Sequence, residues 1–434
     1  MADLGADLSV IAGPLGILAF LIAIMASIAL HECGHLIPAK RFGVRVSEYF
    51  IGFGPTLWSI RRGETEYGVK AIPLGGYVRL IGMLPPVPAA PATSAGPVGS
   101  IVAQARAAAV ADIGPTDTGR VFYALPVHRK LIVMLGGPVM NAVLAALLFT
   151  IALCAMGVPT PTATVATVVP CVPAAAATQP TCVAGEPASP AAVAGLQAGD
   201  VITAVNGEPV SAWADLTARL GAQPGQRVVI DVLRAGQPRQ QAIELAAVAR
   251  PDPEQPGVVR TRGYLGITPE VTPVRQPPSA VPVLMWRITQ ATGAALATLP
   301  ARLADVAGAA FLGEQRDPEG LVGVVGVGRV SGEIASAPAP IAWRVADFLS
   351  LVAGLNLALA LFNLIPLLPL DGGHIAGALW EGVRRGWARL RRRPDPGPVD
   401  LARLMPVTYA VGIALIGMSL LLLYADLVNP IRLG

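Results

Sequence analysis

Residues 22–43 read IAIMASIALHECGHLIPAKRFG and place His31, Glu32 and His35 directly after a long apolar run. On an α-helix, residues four apart are separated by about 40° around the axis, so His31 and His35 can share one metal ion. Glu32, next to His31, is placed to act as a base toward water. Only four histidines occur in the 434 residues, and two are here. The alternative is that His31 and His35 bind no metal and are interfacial histidines whose side chains snorkel toward the cytoplasm.

The composition is that of a membrane protein. Hydrophobic residues make up 53% of the chain and charged residues 14%, against about 25% charged in an average soluble domain. A helix that spans a bilayer needs about 20 largely apolar residues. Four segments of that length contain no charged residue and no histidine: 9–30, 131–158, 348–370 and 404–425. The first follows two aspartates rather than basic residues, so we expect a permanent span and not a cleaved signal peptide.

Basic residues in the loops predict the orientation. The loops 38–130 and 371–403 hold 18 Lys and Arg residues, whereas residues 159–347 hold 13 Arg against 15 acids. Because basic residues near a span favour the cytoplasmic side, the first two loops are predicted to be cytoplasmic, and residues 159–347 and both termini to face outward. The run 384–393 is expected to lie against anionic lipid headgroups, or to serve only as a topology signal. Topology accounts for the positive charge, so no nucleic-acid partner is predicted.

Three loop segments have distinct patterns. Alternation and turn glycines predict short strands over residues 56–61, 66–72 and 77–81. The Ala-, Pro- and Gly-rich segment 85–119 is predicted to be a flexible cytoplasmic linker. Residues 281–311 are helical in pattern but contain charges, and an amphipathic helix or helix pair at the outer surface is favoured over a fifth span.

The outward region contains SPAAVAGLQAGDVITAVNGEPV (189–210). We predict a short helix over 190–194, a strand over 201–205, a helix over 212–220 and a strand over 227–234. The stretch resembles the core of a bacterial PDZ domain over about residues 182–270. That likeness implies binding of a peptide C-terminus at a sheet edge, with a steric plug as the alternative. RGYLGI (262–267) is similar to the carboxylate-binding loop of such domains, or is a closing strand.

Cysteines are few. Cys171 and Cys182 lie in the outward region, where a disulfide could persist in an oxidising compartment, and the sequence leaves the bond open. Cys33 lies inside the HECGH motif. A buried apolar filler is the better interpretation for it than a metal ligand or nucleophile.

A catalytic zinc ion needs a third protein ligand and an open position. Asp371 follows the third span in FNLIPLLPLDGGH (362–374), where Asn363 and two prolines interrupt the helix. The first and third spans run in the same direction, so Asp371 is expected at the depth of His31 and His35. His128 and His374 are the other candidate ligands, and a capping role in a turn is the alternative for Asp371.

HECGH, GGPVMN (136–141), the PDZ-like stretch and NLIPLLPLDGG (363–373) together resemble the site-2 protease family of intramembrane zinc metalloproteases. The resemblance implies that His31, His35 and Asp371 bind Zn²⁺, that Glu32 activates water, and that Asn363 holds the substrate backbone or the developing oxyanion. EYGVKAIPLGGYV (66–78) looks like the membrane-reentrant β-loop of that family, whose edge pairs with an unwound substrate.

The same resemblance implies the substrates and the setting. These would be single-span membrane proteins already cut on the outer side, such as anti-sigma factors or signal-peptide remnants, in a bacterial cytoplasmic membrane. The PDZ-like domain would reject untrimmed ectodomains. A metal or ion transporter and a catalytically inactive scaffold that presents the PDZ-like domain are the alternatives, and the presence of Glu32 counts against both.

The predicted fold is an α-helical polytopic membrane protein of about four transmembrane helices, with an inserted extracytoplasmic α+β PDZ-like domain and a short membrane-associated β-loop. The predicted segments are the first span with HExxH (1–38), the β region (39–84), the linker (85–119), the second span (120–158), an outer linker (159–181), the PDZ-like domain (182–270), an amphipathic segment (271–345), the third span with LDG (346–380), a basic cytoplasmic loop (381–403) and the fourth span (404–428).

Overall fold

One helix, α1 (Ala2–Arg41), contains both the first apolar segment and the HECGH motif. At about 1.5 Å per residue, its 40 residues extend well beyond the thickness of a bilayer core. The basic side chains of Lys40 and Arg41 in its last turn complement the negative end of the helix dipole. Gly43, with φ of +80°, then turns the chain away. The metal motif therefore lies in the last turns of a continuous helix.

The computed structural model describes residues 2–86, 97–117, 119–172, 182, 185–252, 255–312, 316 and 320–430. The further helices are α2 (Pro97–Ala111), α3 (Val127–Phe149, continued by a π-helical segment Thr150–Met156), α4 (Pro190–Val193), α5 (Trp213–Gly221), α6 (Ala280–Ala297), α7 (Leu299–Phe311), α8 (Val324–Ser336), α9 (Ile341–Asn363), α10 (Asp371–Leu390) and α11 (Met405–Val428). The strands are β1 (Val46–Arg62), β2 (Thr65–Leu80), β3 (Val158–Val168), β4 (Val201–Val205), β5 (Glu208–Pro209), β6 (Arg227–Arg234), β7 (Gln237–Glu244), β8 (Ala246–Asp252), β9 (Gln255–Tyr264) and β10 (Ile267–Val274).

Four helical segments of the described chain are long and apolar enough to cross a membrane. They are Ile11–Arg41, Val127–Met156, Ile341–Asn363 and Leu401–Val428, and they overlap the four predicted spans. The helices α6 and α7 meet at an angle of 73°. Residues 281–311 are thus a helix pair, as predicted, and their place at the outer surface stays a prediction. The chain is a polytopic membrane protein with an inserted sheet-containing domain.

The third predicted span, 346–380, is wrong as one continuous helix, and the interruption predicted before Asp371 is confirmed. Helix α9 ends at Asn363, and a new helix, α10, begins at Asp371. Pro366 and Pro369 lie between them, and proline lacks the N–H of a helical hydrogen bond and disfavours a helical residue before it. Asp371 consequently opens a helix instead of closing the span.

The β region is also different from the prediction. Two long antiparallel strands, β1 and β2, replace the three short ones, and they are joined by a tight turn at Gly63, which has φ of +63°. The glycines that suggested strand breaks instead accompany register shifts within one hairpin. Buried side chains at its base pack with α1 and α3 in a common core: Leu36, Val44, Val46, Leu80, Phe122 and Val133.

The prediction of a flexible linker over 85–119 is wrong for residues 97–111, which form α2. Its alanine-rich sequence has high intrinsic helix propensity. Two ion pairs attach it to the rest of the chain: Arg106 with Asp400, and Asp112, just after the helix, with Arg79 at 2.7 Å. Residues 87–96 lie outside the described residues.

The amphipathic segment predicted over 271–345 contains a third helix, α8, which packs against α1. The Ser331 hydroxyl donates to the Gly16 carbonyl oxygen at 3.3 Å. A Cβ added at Gly16 would lie 2.6 Å from the Ala335 Cβ. Small residues therefore allow the two backbones to approach closely, as membrane helices commonly do.

Residues 157–275 form a compact unit with its own core. Its main sheet has the strand order β10-β3-β4-β6-β7, and neighbouring strands are antiparallel. The strands β4 and β6 have the predicted bounds, and α4 and α5 agree within one residue at each end. Fully buried apolar side chains fill the space beneath the sheet: Val165, Ile202, Leu216, Val228, Ile230 and Leu245.

The predicted start of this unit at residue 182 is wrong. The strand β3, which lies in the supposed outer linker, is inserted between β10 and β4. Pro159 and Pro161 are untypical of strand interiors and conceal it in the sequence, yet Val165 is only 1% exposed.

RGYLGI forms the end of β9 and a turn at Gly266, with φ of +91°, into the edge strand β10. Cys171 and Cys182 are joined in a disulfide with Cα atoms 5.8 Å apart.

Asp200, directly before β4 in this unit, is a fully buried carboxylate. It accepts two hydrogen bonds from the Arg234 guanidinium, at 2.7 Å each, and one from the Gln197 N–H at 2.9 Å. The arginine bonds above all, with the backbone bond, hold the pKa of Asp200 below its ordinary value. The pair joins the start of β4 to the end of β6.

We expect Asp200→Asn to lower the free energy of unfolding of a 157–275 fragment by about 3 kcal/mol, because Arg234 loses its buried partner. The contribution of a carboxylate with a lowered pKa is present above its unfolded value of about 3.9 and is lost as the pH falls below it. Urea unfolding at several pH values measures both effects, and the variant should show the smaller loss of stability in acid. Asp215→Asn is the control, because Asp215 pairs with Arg219 at the surface and should change stability by less than about 1 kcal/mol.

Candidate metal centre

His31 and His35 lie on successive turns of α1, on the same face of the helix. Their Nε2 atoms lie 3.3 Å apart, as the spacing of four residues predicted. His35 is 6% exposed and Glu32 9% exposed. Two imidazole nitrogens that face each other inside a membrane protein are costly to bury unless they bind something. The arrangement is that of half a metal site.

Asp371, the first residue of α10, completes the group. Its Oδ2 lies 3.3 Å from the Nε2 of His31 and 3.3 Å from the Nε2 of His35. The three ligand atoms thus form a nearly equilateral triangle. A tetrahedral Zn²⁺ ion with ligands at about 2.0–2.1 Å needs ligand atoms about 3.3–3.4 Å apart. The donor set of two imidazoles and one carboxylate also fits zinc, and one coordination position stays open.

The orientation of His35 is set by α3. Its Nδ1 is 2.8 Å from the Val133 carbonyl oxygen, so Nδ1 carries the proton and donates, while Nε2 keeps its lone pair toward the triangle. The Nδ1 of His31 has no hydrogen-bond partner within the described residues. The Oδ2 of Asp371 is likewise buried without a hydrogen bond there. An acceptor left in this state has the environment of a metal ligand.

Glycines of GGPVMN make room for the imidazoles. A Cβ added at Gly136 would lie 1.9 Å from the Gly34 carbonyl oxygen, and one at Gly34 would lie 2.2 Å from the Gly136 oxygen. At Gly137 it would lie 2.3 Å from His35 Nε2 and 2.6 Å from His31 Cε1. The helices α1 and α3 therefore touch backbone to backbone beside the histidines. In the sequence this motif indicates only a family resemblance, because a glycine pair does not identify the helix that it packs against.

The glycines after Asp371 have a similar role. A Cβ at Gly372 would lie 2.0 Å from the Ile365 carbonyl oxygen, and one at Gly373 would lie 2.7 Å from the Leu368 nitrogen. The first turn of α10 packs directly onto the proline-containing loop before it. Any side chain at these positions would push Asp371 away from the histidines.

A buried ion pair fixes α10 against α3. Lys130 Nζ donates to both carboxylate oxygens of Glu381 at 2.7 and 2.9 Å, and the two side chains are 5% and 3% exposed. The sequence offered no signal for this pair, because the residues are 251 positions apart. It holds the helix that carries Asp371 beside the helix that orients His35.

Glu32 lies at the hairpin side of the centre. A Cβ at Gly76 of β2 would lie 3.1 Å from Glu32 Cγ. The Tyr49 hydroxyl of β1 donates to the Ala29 carbonyl oxygen at 2.7 Å. The β1–β2 hairpin is therefore attached to α1 next to Glu32. The sequence predicts a β-loop, but its contact with Glu32 is visible only in three dimensions.

The other predicted residues lie on α9, α3, α10 and α1. Asn363 is half-buried at the last position of α9. His128 is exposed at the start of α3. His374 lies one turn along α10 from Asp371 and lines a separate cavity of about 20 Å³ with Lys130 and Glu381. Cys33 is a free thiol 3.3 Å from the Tyr49 hydroxyl. An apolar cavity of about 320 Å³ lies beside Gly373 and Leu368.

A zinc-type donor set with an adjacent buried glutamate, in a chain with four membrane-length helices, is the arrangement expected of a membrane-embedded metal-dependent hydrolase. The sequence matches the profile of peptidase family M50 over residues 19–393. It is 37% identical over 430 residues to zinc metalloprotease Rip1 of Mycobacterium tuberculosis, covering 96% of this chain and 98% of that protein. Rip1 of Mycolicibacterium smegmatis is 34% identical, over the same shares of both chains. RasP of Shouchella clausii is 27% identical, covering 85% of this chain and 90% of that protein.

The chain belongs to peptidase family M50, the site-2 protease family. It is a zinc metalloprotease of the intramembrane type and an integral membrane protein. The family prediction made from HECGH and NLIPLLPLDGG is confirmed.

We expect Gly137→Ala to lose zinc, because the new methyl group would occupy the space of both imidazoles. The zinc content of the purified protein, measured by mass spectrometry, should fall at least tenfold under a chelator concentration that leaves wild type loaded. Gly354→Ala in α9 is the matched control, since a Cβ there meets nothing within 4 Å. Equal zinc retention in both variants would contradict the packing described for Gly137.

The third ligand can be tested by a pair of substitutions on α10. Asp371→Ala should weaken zinc binding by about 100-fold or more, because an inner ligand matters at least as much as the groups that support one. His374→Ala should keep zinc, since its ring lies in a separate cavity. The zinc affinity of each variant can be measured by competition with a coloured chelator. A larger loss of affinity in His374→Ala than in Asp371→Ala would make His374 the ligand.

Proposed function

We propose that His31, His35 and Asp371 hold the zinc ion and that Glu32 is the general base of peptide-bond hydrolysis. The observation that carries this proposal is the 3.3 Å triangle of ligand atoms, with Glu32 adjacent on the same helix. When bound, zinc supplies Lewis-acid polarisation of the peptide carbonyl and lowers the pKa of water to about 7. Glu32 takes a proton from water and passes it to the leaving amine.

The burial of Glu32 suits this role. A base excluded from bulk water interacts more strongly with the groups around it, and it does not exchange its proton freely with solvent. Gly76 of β2 lies beside its Cγ, so the hairpin borders this side chain. The hairpin thus positions the base while α1 positions the histidines.

We propose that the substrate is the transmembrane segment of a single-span protein. A helix hides its peptide carbonyls in its own hydrogen bonds, so the segment must unwind before cleavage. The β1–β2 hairpin, which contacts Glu32, offers strand backbone to replace those bonds. Asn363, at the end of α9, would hold the substrate backbone or the developing oxyanion. The apolar cavity beside Gly373 fits an apolar substrate segment.

The hairpin also has the surface of an element inside a membrane. Phe53, Leu57, Trp58 and Ile72 are all exposed, at 46–70% of their possible area. Exposed aromatic and aliphatic side chains in such number are unfavourable in water. They support a reentrant position for the hairpin, where it would meet a substrate within the bilayer.

We propose that the metal centre lies near the cytoplasmic side and that the sheet unit of residues 157–275 lies outside. Loop charge supports this orientation, and so does the Cys171–Cys182 disulfide, because such bonds persist in oxidising compartments. The sheet unit would act as a PDZ-like domain, with β10 at the sheet edge available to a peptide C-terminus. It would exclude substrates whose outer part is untrimmed, such as intact anti-sigma factors.

The test is cleavage of a model single-span substrate, trimmed on its outer side, by protein reconstituted in vesicles. Glu32→Gln should keep its zinc and lower kcat by about 10² to 10⁴, the usual contribution of a general base. Glu244→Gln, which removes an exposed carboxylate from β7 of the sheet unit, should cut the trimmed substrate as wild type does.

Two results would count against the proposal. Equal cleavage by Glu32→Gln and wild type would remove Glu32 from the mechanism. Zinc-loaded wild type that cuts no trimmed substrate would favour a scaffold that presents the PDZ-like domain, or a metal or ion transporter. An untrimmed substrate cut as fast as a trimmed one would overturn only the filter role of the sheet unit.

A further inference from the structure

The helix α10 carries an apolar face that the protein does not cover. Its five exposed large apolar side chains fall within a sector of about 100° on a helical wheel. They are Leu379, Trp380, Val383, Trp387 and Leu390, exposed by 53–78%. The opposite face is buried through Ala378, Glu381 and Ala388. The helix therefore lies on the protein with a second apolar side turned outward.

Arginines cluster at the end of this face. Arg389, Arg391, Arg392 and Arg393 are exposed and lie within five residues. The Arg391 guanidinium stacks over the Trp387 ring at 4.4 Å. No ion pair involves any of these four side chains in the part of the chain that the structure describes. An exposed apolar stripe thus ends in four available positive charges.

Nearby acids do not neutralise the cluster. Glu381 is held by Lys130 and by Arg385 at 3.1 Å, and Asp395 lies 3.4 Å from Arg385. Arg384 donates to the Pro396 carbonyl oxygen. The two acids thus pair with Lys130 and Arg385, Arg384 bonds a backbone carbonyl oxygen, and the four outer arginines are left for a partner.

We propose that the end of α10 and Arg389–Arg393 bind the headgroups of anionic phospholipids at the membrane surface. Tryptophan prefers the boundary between headgroups and acyl chains, and arginine reaches phosphate from a short distance beyond it. An in-plane helix with an apolar face and basic residues is typical of interfacial binding. A topology signal alone requires the charges but neither the two tryptophans nor the exposed stripe.

This contact bears on the metal centre because α10 begins with Asp371. The helix is held at one end by the loop onto which Gly372 packs and near its middle by the Lys130–Glu381 pair. The lipid contact holds its other end. The helix that carries Asp371 is thereby anchored to protein and to membrane along its whole length.

The test is lipid binding to the purified full-length protein in detergent, measured by native mass spectrometry. Phosphatidylglycerol is titrated against phosphatidylcholine with the same acyl chains, and wild type should prefer phosphatidylglycerol. Each arginine at an anionic surface contributes about fivefold in affinity. Arg392→Gln with Arg393→Gln should therefore lower phosphatidylglycerol affinity on the order of twentyfold and leave phosphatidylcholine affinity unchanged.

Two further double variants separate a specific surface from general charge. Arg227→Gln with Arg239→Gln removes the same charge from exposed positions of β6 and β7 and should leave the preference intact. Arg392→Lys with Arg393→Lys should retain it, because a lysine also meets a headgroup phosphate. If the glutamine variant does not fold, the salt dependence of wild type is the test. Its preference for phosphatidylglycerol must weaken as the salt concentration is raised, and a preference that salt does not change would contradict the proposal.

Equal affinity of wild type for both lipids would overturn the proposal and leave the arginines as a topology signal. An equal loss in the β6–β7 variant would overturn it as well, in favour of a diffuse charge effect. Neither result touches the zinc centre, since cleavage and zinc content of wild type are measured separately.

Discussion

The metal centre depends on the contact of α1 with α3 at Gly34, Gly136 and Gly137. Backbone meets backbone there, so the helices lie closer than any pair with side chains at the crossing could. This distance lets the Val133 carbonyl oxygen reach the Nδ1 of His35, which sets the direction of Nε2. It also leaves the space beneath Gly137 that both imidazoles occupy.

The second requirement is a carboxylate at the same depth, and the broken third span provides it. Prolines stop α9 and allow the chain to turn, and Gly372 and Gly373 let the next helix start directly against that turn. Asp371 thereby enters the centre from the first position of α10. The buried Lys130–Glu381 pair holds α10 to α3 and so links Asp371 to the helix that orients His35.

The sequence predicted those parts that follow from local rules. Spacing of four residues aligned His31 with His35, apolar length located four spans, and turn signals located β4, β6, α4 and α5. It failed where a distant partner decides the outcome. The alanine-rich segment, which was predicted to be flexible, is the helix α2, and ion pairs of Arg106 with Asp400 and of Asp112 with Arg79 attach it to distant parts of the chain. The strand β3 was missed because it contains prolines, and its partners β10 and β4 are distant in the sequence.

The sequence by itself determined the metal motif, its place at the end of a span, the break before Asp371 and the family. Periodicity, helix-breaking residues and motif order can be recognised from the sequence alone, because they do not depend on contacts between distant residues. Only the tertiary structure decided that three ligand atoms converge at 3.3 Å, that Gly137 makes their space, and that Lys130 meets Glu381 across 251 positions. These features depend on the distances between helices. Helix packing sets those distances through side-chain shape and burial, and a local sequence pattern does not predict them.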